Sequence, residues 1–315
     1  MHNHASHDSH GFNITSLFGM SSKPVAVGSA GFWGPVTSTL DWCEENHIVS
    51  QYIAEWWNAT TNLVFLIWPL IGIYSCYKTG SERRFALSYA ALILVGTGSF
   101  LFHGTLTYAM QLLDELPMCM ATCVFVYCHL QMFAKKGANS PKAILALAGI
   151  FLTVTTSYLA LQTPILFQVA FVALTLMQLF GALNNIRLVR RTHKAESNIL
   201  YGLIAVCVTT ILTAFALWNT DQIHCGSIQE HRNQIGYPLR VGLELHAWWH
   251  LLTGYSGYVS IVGAQYCRLL ALGRNDIQLT VRGGFLPVLM PRSKLDNSMD
   301  QIKMPRNLTE KSKRA

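Results

Sequence analysis

Charge is scarce in this 315-residue sequence, and that scarcity is the first constraint on what the protein can be. Asp, Glu, Lys and Arg together make up 12% of the residues, which is about half the share found in soluble globular domains. Apolar types reach 51% and the mean hydropathy is +0.30. This composition excludes a disordered chain and a nucleic-acid-binding protein of the basic-patch kind, and it argues against a water-soluble enzyme.

Three familiar patterns are also missing. The eight cysteines include no CxxC pair, so their spacing excludes a zinc finger or a compact disulfide scaffold. The first 30 residues contain no apolar stretch typical of a cleavable signal peptide, so we expect the first membrane helix to act as the signal anchor. No internal repeat is visible, which disfavours a transporter built from two inverted halves.

Long apolar runs separated by short charged segments are what the sequence has instead. A helix needs about 20 apolar residues to cross a bilayer, and the uncharged stretch 143–186 is long enough to cross twice, with a break at Gln162–Pro164. Seven spans are predicted, at about residues 57–77, 85–105, 115–134, 143–161, 164–186, 198–219 and 244–268. The predicted fold class is therefore an all-α membrane protein, a seven-transmembrane helix bundle.

The basic residues predict the orientation of this bundle. With seven spans, 20 of the 23 Lys and Arg residues fall on one side of the membrane. The positive-inside rule then places the C-terminus in the cytosol and the N-terminus in the lumen. The predicted organisation is a luminal tail over 1–30, a helical domain over 31–290 that begins with a luminal segment over 31–56, and a basic cytosolic tail over 291–315.

Four ionisable residues within or beside these spans stand out, because such groups are costly in a membrane and usually functional. His246 and His250 are four residues apart and project from one helix face, and Ser99 and His103 have the same spacing. The predicted orientation brings His103, Asp114, His246 and His250 to one depth near the luminal face. Three neutral imidazoles with an open fourth position are typical of catalytic zinc, and Asp114 would hold and deprotonate a water there. Hydrogen bonding between helices is the alternative for these histidines.

An acidic cluster precedes the first span. Its oxygen-bearing side chains suit calcium, although their spacing does not match an EF-hand loop, and a solvated acidic cap is the alternative. These side chains belong to Asp41, Glu44, Asn46 and Glu55. Cys43 lies within the cluster. It and Cys225 are the two cysteines that fall in luminal segments, where disulfides form, so the topology predicts a bridge between them.

Five motifs, in their order along the chain, resemble the alkaline ceramidases. They are WGPVTSTLDWCEEN at 33–46, YIAEWWN at 52–58, GSFLFH at 98–103, QLLDELPM at 111–118 and HAWWH at 246–250. The likeness extends from about Trp33 to Pro291. It implies a seven-helix amidase of the endoplasmic reticulum or Golgi membrane that hydrolyses ceramides, including phytoceramide or dihydroceramide, to a sphingoid base and a free fatty acid.

The resemblance also implies roles for individual residues. The zinc ligands of the family correspond to His103, His246 and His250, its serine to Ser99, and its water-binding aspartate to Asp114. Its calcium site corresponds to Asp41, the backbone carbonyl of Trp42, Glu44, Asn46 and Glu55, and its luminal disulfide to Cys43 and Cys225. The implied cofactors are catalytic zinc and structural or regulatory calcium. The implied partner is a ceramide-type lipid that enters from the bilayer, with membrane lipids around it and no nucleic acid or protein partner.

Two other classes are weighed against this hypothesis. The adiponectin and progestin receptor group also combines seven helices with a three-histidine zinc site. The acidic segment and the luminal N-terminus favour the ceramidase over that receptor. A transporter that relays protons through its intramembrane His and Asp residues would be expected to contain inverted repeats.

Overall fold

Residues 31–161 and 165–292 are described by the computed structural model of this chain, and most of them are helical. The tail over 1–30, nearly all of the basic tail and the break at 162–164 lie outside the described residues. The helices are α1 (Trp56–Thr61), α2 (Val64–Thr79), α3 (Arg83–Thr105), α4 (Tyr108–Leu130), α5 (Pro141–Leu161), α6 (Ile165–Val189), α7 (Lys194–Ile223), α8 (Cys225–Ile235) and α9 (Leu245–Ala271). A 3-10 turn at Leu239–Leu243 precedes α9, and strands β1 (Ile277–Arg282) and β2 (Leu286–Pro291) follow it.

Six candidate membrane spans are present in the described residues, each long and apolar enough to cross a bilayer. They are α1 with α2 (Trp56–Thr79), then α3, α4, α5, α6 and α7. The predicted seventh span, 244–268, corresponds to α9, which has 27 residues but is not among the six. Helix α9 is more polar because it carries buried His246, His250, Gln265 and Arg268 along its length.

Helix α9 lies at the centre of the bundle, where it packs along α7 and also contacts α2 and α3. Glycines allow these helices to approach closely. A Cβ atom at Gly254 of α9 would lie 2.9 Å from Val64 of α2, and one at Gly96 of α3 would lie 2.2 Å from Phe65 of α2. Small residues at helix crossings are typical of membrane bundles. Here they hold together the helices that carry the histidines.

Gly98 sets the approach between α3 and α4. A Cβ atom at this position would lie 2.0 Å from the carbonyl oxygen of Leu113 and 3.0 Å from the backbone nitrogen of Asp114. These neighbours are backbone atoms, so no change of side-chain rotamer relieves the overlap. The absence of a side chain at Gly98 therefore places Ser99 of α3 beside Asp114 of α4.

Replacing Gly98 with alanine is expected to push α3 and α4 apart and to lower the free energy of unfolding by about 1–3 kcal/mol, as overpacking does. The thermal midpoint in detergent should fall, and activity should fall with it because Ser99 and Asp114 flank the contact. Gly104→Ala on the same helix is the matched control, since a Cβ atom there would meet nothing within 4 Å. A Gly98→Ala protein with an unchanged midpoint and unchanged activity would contradict this role.

A β-hairpin after α9 departs from the all-α prediction, which is wrong for this part of the described chain. Strands β1 and β2 pair antiparallel through a turn in which Gly283 and Gly284 both have positive φ. The Tyr258 hydroxyl donates to the carbonyl of Pro287 at 2.8 Å, so β2 packs against α9. A short apolar run shows no hydrophobic periodicity that would distinguish a strand from a helix. The sequence therefore did not predict these strands.

Candidate metal centre

Three imidazoles meet where the end of α3 faces the start of α9. His103 lies in the last turn of α3, and His246 and His250 lie in the first two turns of α9. Their ring centroids are 4.7–5.1 Å apart. One ligand nitrogen from each ring lies within 4.8 Å of the other two, and all three residues are buried. The structure therefore brings together the three histidines that the sequence predicts as zinc ligands.

Local helix geometry explains how these side chains converge. Because His246 and His250 are four residues apart, both lie on the inner face of α9, whereas Trp248 between them is 43% exposed. Helix α3 ends at Thr105, two residues after His103, and its C-cap residue Leu106 adopts a left-handed conformation with φ of 50°. The cluster therefore lies at one end of the bundle, within reach of the segment that precedes α1.

The donor set fits a zinc ion. Nε2 of His103 and Nδ1 of His246 are buried and have no hydrogen-bond partner among the described residues. The other nitrogen of His103, Nδ1, contacts the carboxylate of Glu55. Nδ1 of His250 hydrogen-bonds the Thr61 hydroxyl at 3.1 Å. Carboxylate or hydroxyl partners that orient imidazoles in this way are the usual surroundings of metal-binding histidines.

Ser99 and Asp114 lie beside the imidazoles. Ser99 is one turn before His103 on α3, and its Oγ is 3.4 Å from Nε2 of His250. The carboxyl group of Asp114, which is half-buried on α4, lies close enough to the same hydroxyl to interact with it electrostatically. A single hydroxyl therefore connects the predicted proton acceptor with the histidine cluster.

The segment before α1 forms one wall of this site. The backbone N–H of Glu55 donates to the carbonyl of His103 at 2.9 Å. The Trp42 indole stacks on the ring of His246, with centroids 3.6 Å apart and an interplanar angle of 18°. The residues predicted to form a calcium-binding segment are thus in direct contact with the histidine cluster.

Two of the predicted calcium ligands also have partners that the sequence did not predict. Glu44 accepts hydrogen bonds from the backbone N–H groups of Trp57 and Asn58 at 2.7 and 2.8 Å, and so caps the start of α1. Glu55 accepts from the side-chain amide of Asn58 at 3.1 Å and from the backbone N–H of Trp42 at 3.3 Å. These carboxylates therefore hold the segment against α1 as well as offering oxygens to a cation.

Carboxyl groups are crowded together among these residues, so their ionised forms are disfavoured unless a cation is bound. Burial and, next, the charge of Glu55 raise the pKa of the Glu44 carboxyl to about 9. Burial and then the charge of Asp41 raise the pKa of Glu55 well above its usual value. Oδ1 of Asn46 is buried and has no hydrogen-bond partner among the described residues. Carboxylate and amide oxygens gathered in this way suit calcium, whose charge would offset the repulsion.

A disulfide joins Cys43 to Cys225, the first residue of α8, with Cα atoms 5.3 Å apart. The predicted pairing is confirmed. Two further contacts hold the same point: the N–H of Cys43 donates to the Asp221 carboxylate at 3.1 Å, and Gln229 donates to the carbonyl of Cys43 at 3.1 Å. The bridge therefore anchors the segment before α1 to α7 and α8, one residue from Trp42.

Arg232 on α8 is a further structural residue that the sequence did not indicate. Its guanidinium is fully buried and contacts both the carbonyl of Cys43 and the carboxylate of Glu244. Glu244 is the N-cap residue of α9, two residues before His246. Arg232 thus links the disulfide to the helix that carries two of the histidines. Its partners are 12 and 189 residues away, so no local sequence pattern points to them.

Comparison with known proteins agrees with the resemblance of the motifs. Residues 34–290 match the family model described as Ceramidase. The chain is 41% identical over 247 residues to alkaline ceramidase 3 of Mus musculus, which covers 78% of this chain and 90% of the mouse protein. It is 37% identical over 260 residues to alkaline ceramidase YPC1 of Saccharomyces cerevisiae, covering 77% and 80% of the two chains. It is 28% identical over 251 residues to an alkaline ceramidase of Arabidopsis thaliana, covering 80% and 92%. Because the family match spans the histidine cluster and the segment that covers it, this chain belongs to the alkaline ceramidase family.

Proposed function

We propose that this protein is a membrane amidase that hydrolyses the N-acyl bond of ceramides, including phytoceramide or dihydroceramide. The products are a sphingoid base and a free fatty acid. The observation that carries the proposal is the group of three buried imidazoles beside Ser99 and Asp114, in a chain whose relatives are named alkaline ceramidases. The same comparisons do not favour the receptor alternative.

We assign His103, His246 and His250 as ligands of a catalytic zinc ion. The buried nitrogens of His103 and His246 that have no hydrogen-bond partner among the described residues support this assignment. When bound, zinc would polarise the amide carbonyl and make water more acidic. Glu55 and Thr61 would fix the ring orientations through the nitrogens that they contact.

Asp114 carries out the proton transfers, and Ser99 stabilises the negative charge that develops on the carbonyl oxygen of the substrate. The Asp114 carboxylate takes a proton from the attacking water as the new C–O bond forms, and it then passes that proton to the amide nitrogen so that the C–N bond of the tetrahedral intermediate breaks and the amine leaves. The Ser99 hydroxyl lies between Asp114 and His250 and donates a hydrogen bond to the carbonyl oxygen as negative charge develops there. Trp42 excludes water from the adjoining wall.

The test is hydrolysis by the purified full-length protein in detergent, with zinc and calcium supplied. Fatty acid release from ceramide, dihydroceramide and phytoceramide of one acyl length should be measured by mass spectrometry. We expect release from at least one of the three, with equal amounts of fatty acid and sphingoid base. A folded, metal-loaded protein that cleaves none of them would overturn the proposal.

The placement in the membrane is part of the proposal. We propose that α9 is a seventh span, that the N-terminus faces the lumen of the endoplasmic reticulum or Golgi, and that the substrate enters from the bilayer. The one-sided distribution of Lys and Arg supports this orientation. The Cys43–Cys225 disulfide fits it as well, because the secretory lumen permits disulfides.

Glu55→Gln is expected to weaken zinc binding and lower kcat about 10- to 100-fold, the usual effect of changing a residue that orients a metal ligand. The reason is that glutamine keeps the shape of Glu55 but removes the charge that faces Nδ1 of His103. Bound zinc and kcat should be measured at saturating calcium. Glu44→Gln is the matched control because Glu44 contacts backbone amides of α1. Equal zinc affinity in the two variants would refute a direct role for Glu55 at the imidazole.

Calcium is proposed to bind the oxygens of Asp41, the Trp42 carbonyl, Glu44, Asn46 and Glu55. Its removal by a chelator is expected to lower the thermal midpoint by about 5 °C, since a ligand at 100 times its Kd contributes roughly 2.7 kcal/mol. Activity should fall in parallel and return on adding calcium. Asn46→Ala should raise the calcium concentration needed, whereas Asn219→Ala, at a half-buried asparagine whose amide donates to the Phe215 carbonyl within α7, should not. Indifference to chelation would remove calcium from the proposal.

A further inference from the structure

A cleft of about 470 Å³ lies between the C-terminal parts of α4 and α6. Its volume falls in the range of about 300–1,000 Å³ that is usual for ligand sites. On α4 the cleft begins at Val126, twelve residues beyond Asp114, which is about 18 Å along a helix. The proposed hydrolysis makes no use of this region.

The walls of the cleft change in polarity along the helix axes. The innermost lining residues, Val126 of α4 and Met177 of α6, are apolar. Polar residues follow, with His129 on α4 and Asn184 and Asn185 on α6. The lining on α6 ends at Leu188, eleven residues after Met177, or about 16 Å along the axis. That length is close to the thickness of one hydrocarbon leaflet, about 15 Å.

The polar layer is formed by side chains that are costly at this depth. Asn185 and His129 are both buried, and the Asn185 amide donates to the backbone carbonyl of His129 at 3.1 Å. Asn184, the lining residue adjacent to Asn185, is exposed, so its side-chain amide is accessible to a ligand in the cleft. A Cβ atom at Gly181 would lie 3.2 Å from the Cβ of His129, so the glycine keeps this wall open. Asn185 and His129 pair with each other across the two helices, so Asn184 is the lining amide that a ligand would meet.

The outer rim of the cleft is positively charged. The sequence from 116 to 195 contains no acidic residue and has seven Lys or Arg residues. Arg187 and Arg191 are exposed and lie three residues after the lining residues Asn184 and Leu188, which puts Arg187 on the same face of α6 and Arg191 just beyond its end. Lys135 is exposed and directly follows Ala134, the outermost lining residue from the α4 side. An anionic group is therefore favoured at this end.

We propose that this cleft binds one anionic phospholipid of the leaflet at the basic end of the bundle. Its phosphate lies near Arg187 and Arg191, its ester groups lie at the level of Asn184, and one acyl chain extends toward Met177. The order of charge, amide and apolar surface matches the order of phosphate, ester and chain in a phospholipid. A free fatty acid lacks the ester layer, and a zwitterionic phospholipid lacks the net negative charge that the rim favours.

The test is a titration of the purified full-length protein in detergent, with bound lipid counted by native mass spectrometry. The probes are dioleoyl phosphatidylserine, dioleoyl phosphatidylcholine and oleate. Phosphatidylserine is expected to bind saturably at one site and more tightly than the other two. The double variant Arg187→Gln/Arg191→Gln should weaken its binding about 10- to 30-fold, on the scale of the loss of two basic contacts.

Two further variants distinguish lipid binding in this cleft from nonspecific electrostatic attraction to the basic surface. Lys78→Gln/Arg83→Gln removes the same charge at exposed residues on either side of the turn between α2 and α3, and it should leave the phosphatidylserine affinity unchanged. Met177→Trp keeps every charge but narrows the chain-binding part, so it should weaken phosphatidylserine and phosphatidylcholine alike. Equal losses in the two double variants, or displacement of phosphatidylserine by equimolar oleate, would overturn the proposal. Hydrolysis of a short-chain ceramide by the same preparations should be unchanged, which distinguishes failure here from failure of the proposed amidase activity.

Discussion

Replacing His246 with alanine is expected to lower kcat/KM for ceramide hydrolysis by at least about 10³-fold, because a catalytic metal supplies several kcal/mol of transition-state stabilisation. His246 has a buried Nδ1 with no partner among the described residues and lies 4.7 Å from His250, ring to ring. Two imidazoles alone do not make up the usual three-ligand catalytic zinc site. Activity and bound zinc should therefore be lost together, measured by fatty acid release and by elemental analysis.

His231→Ala is the matched control for this experiment. His231 is an exposed histidine on α8, and its imidazole hydrogen-bonds the carbonyl of Ser227 in the same helix. The control variant should retain both zinc and activity. Loss of His246 also removes the surface on which Trp42 stacks, so the thermal midpoint of each variant should be compared. Wild-type hydrolysis by a folded His246→Ala protein would remove zinc from the mechanism.

Asp114→Asn is expected to lower kcat by about 10²–10⁴-fold, the range in which a positioned acid–base group contributes. Asparagine keeps the size of the side chain and can still hydrogen-bond Ser99, but it cannot accept a proton at neutral pH. Zinc content and KM should change little, since Asp114 is not a proposed ligand. A large fall in kcat with zinc retained would assign proton transfer to Asp114, and an unchanged kcat would exclude that role.

Glu115→Gln tests whether the effect belongs to Asp114 itself. Glu115 is the next residue on α4, but its buried carboxylate contacts the Tyr158 hydroxyl and accepts from the side-chain amide of Gln111 at 3.3 Å. We expect Glu115→Gln to lower the thermal midpoint, because it disturbs a buried network, while kcat stays within a few fold. Equal losses of kcat in both variants would indicate general damage to α4.

Much of the helical framework could be predicted because the signals are local. Apolar runs between charged segments mark the six candidate spans, and the four-residue spacing of His246 and His250 places both rings on one face. The β-hairpin and α8 were not predicted. Strand β2 is held by Tyr258 of α9, and α8 is held by the Cys225 disulfide and the buried Arg232. Both elements depend on partners far away in the chain.

What the sequence by itself determined is the class of protein and the kinds of side chain available for its chemistry, since composition and helical period depend on neighbouring residues alone. Only the tertiary structure decided how those side chains are combined. Glu55, proposed for calcium, also contacts His103 across 48 residues, and Thr61 reaches His250 across 189. Contacts of this kind depend on how the helices cross and on where glycines allow close approach. Neither feature can be predicted from the order of residues along the chain.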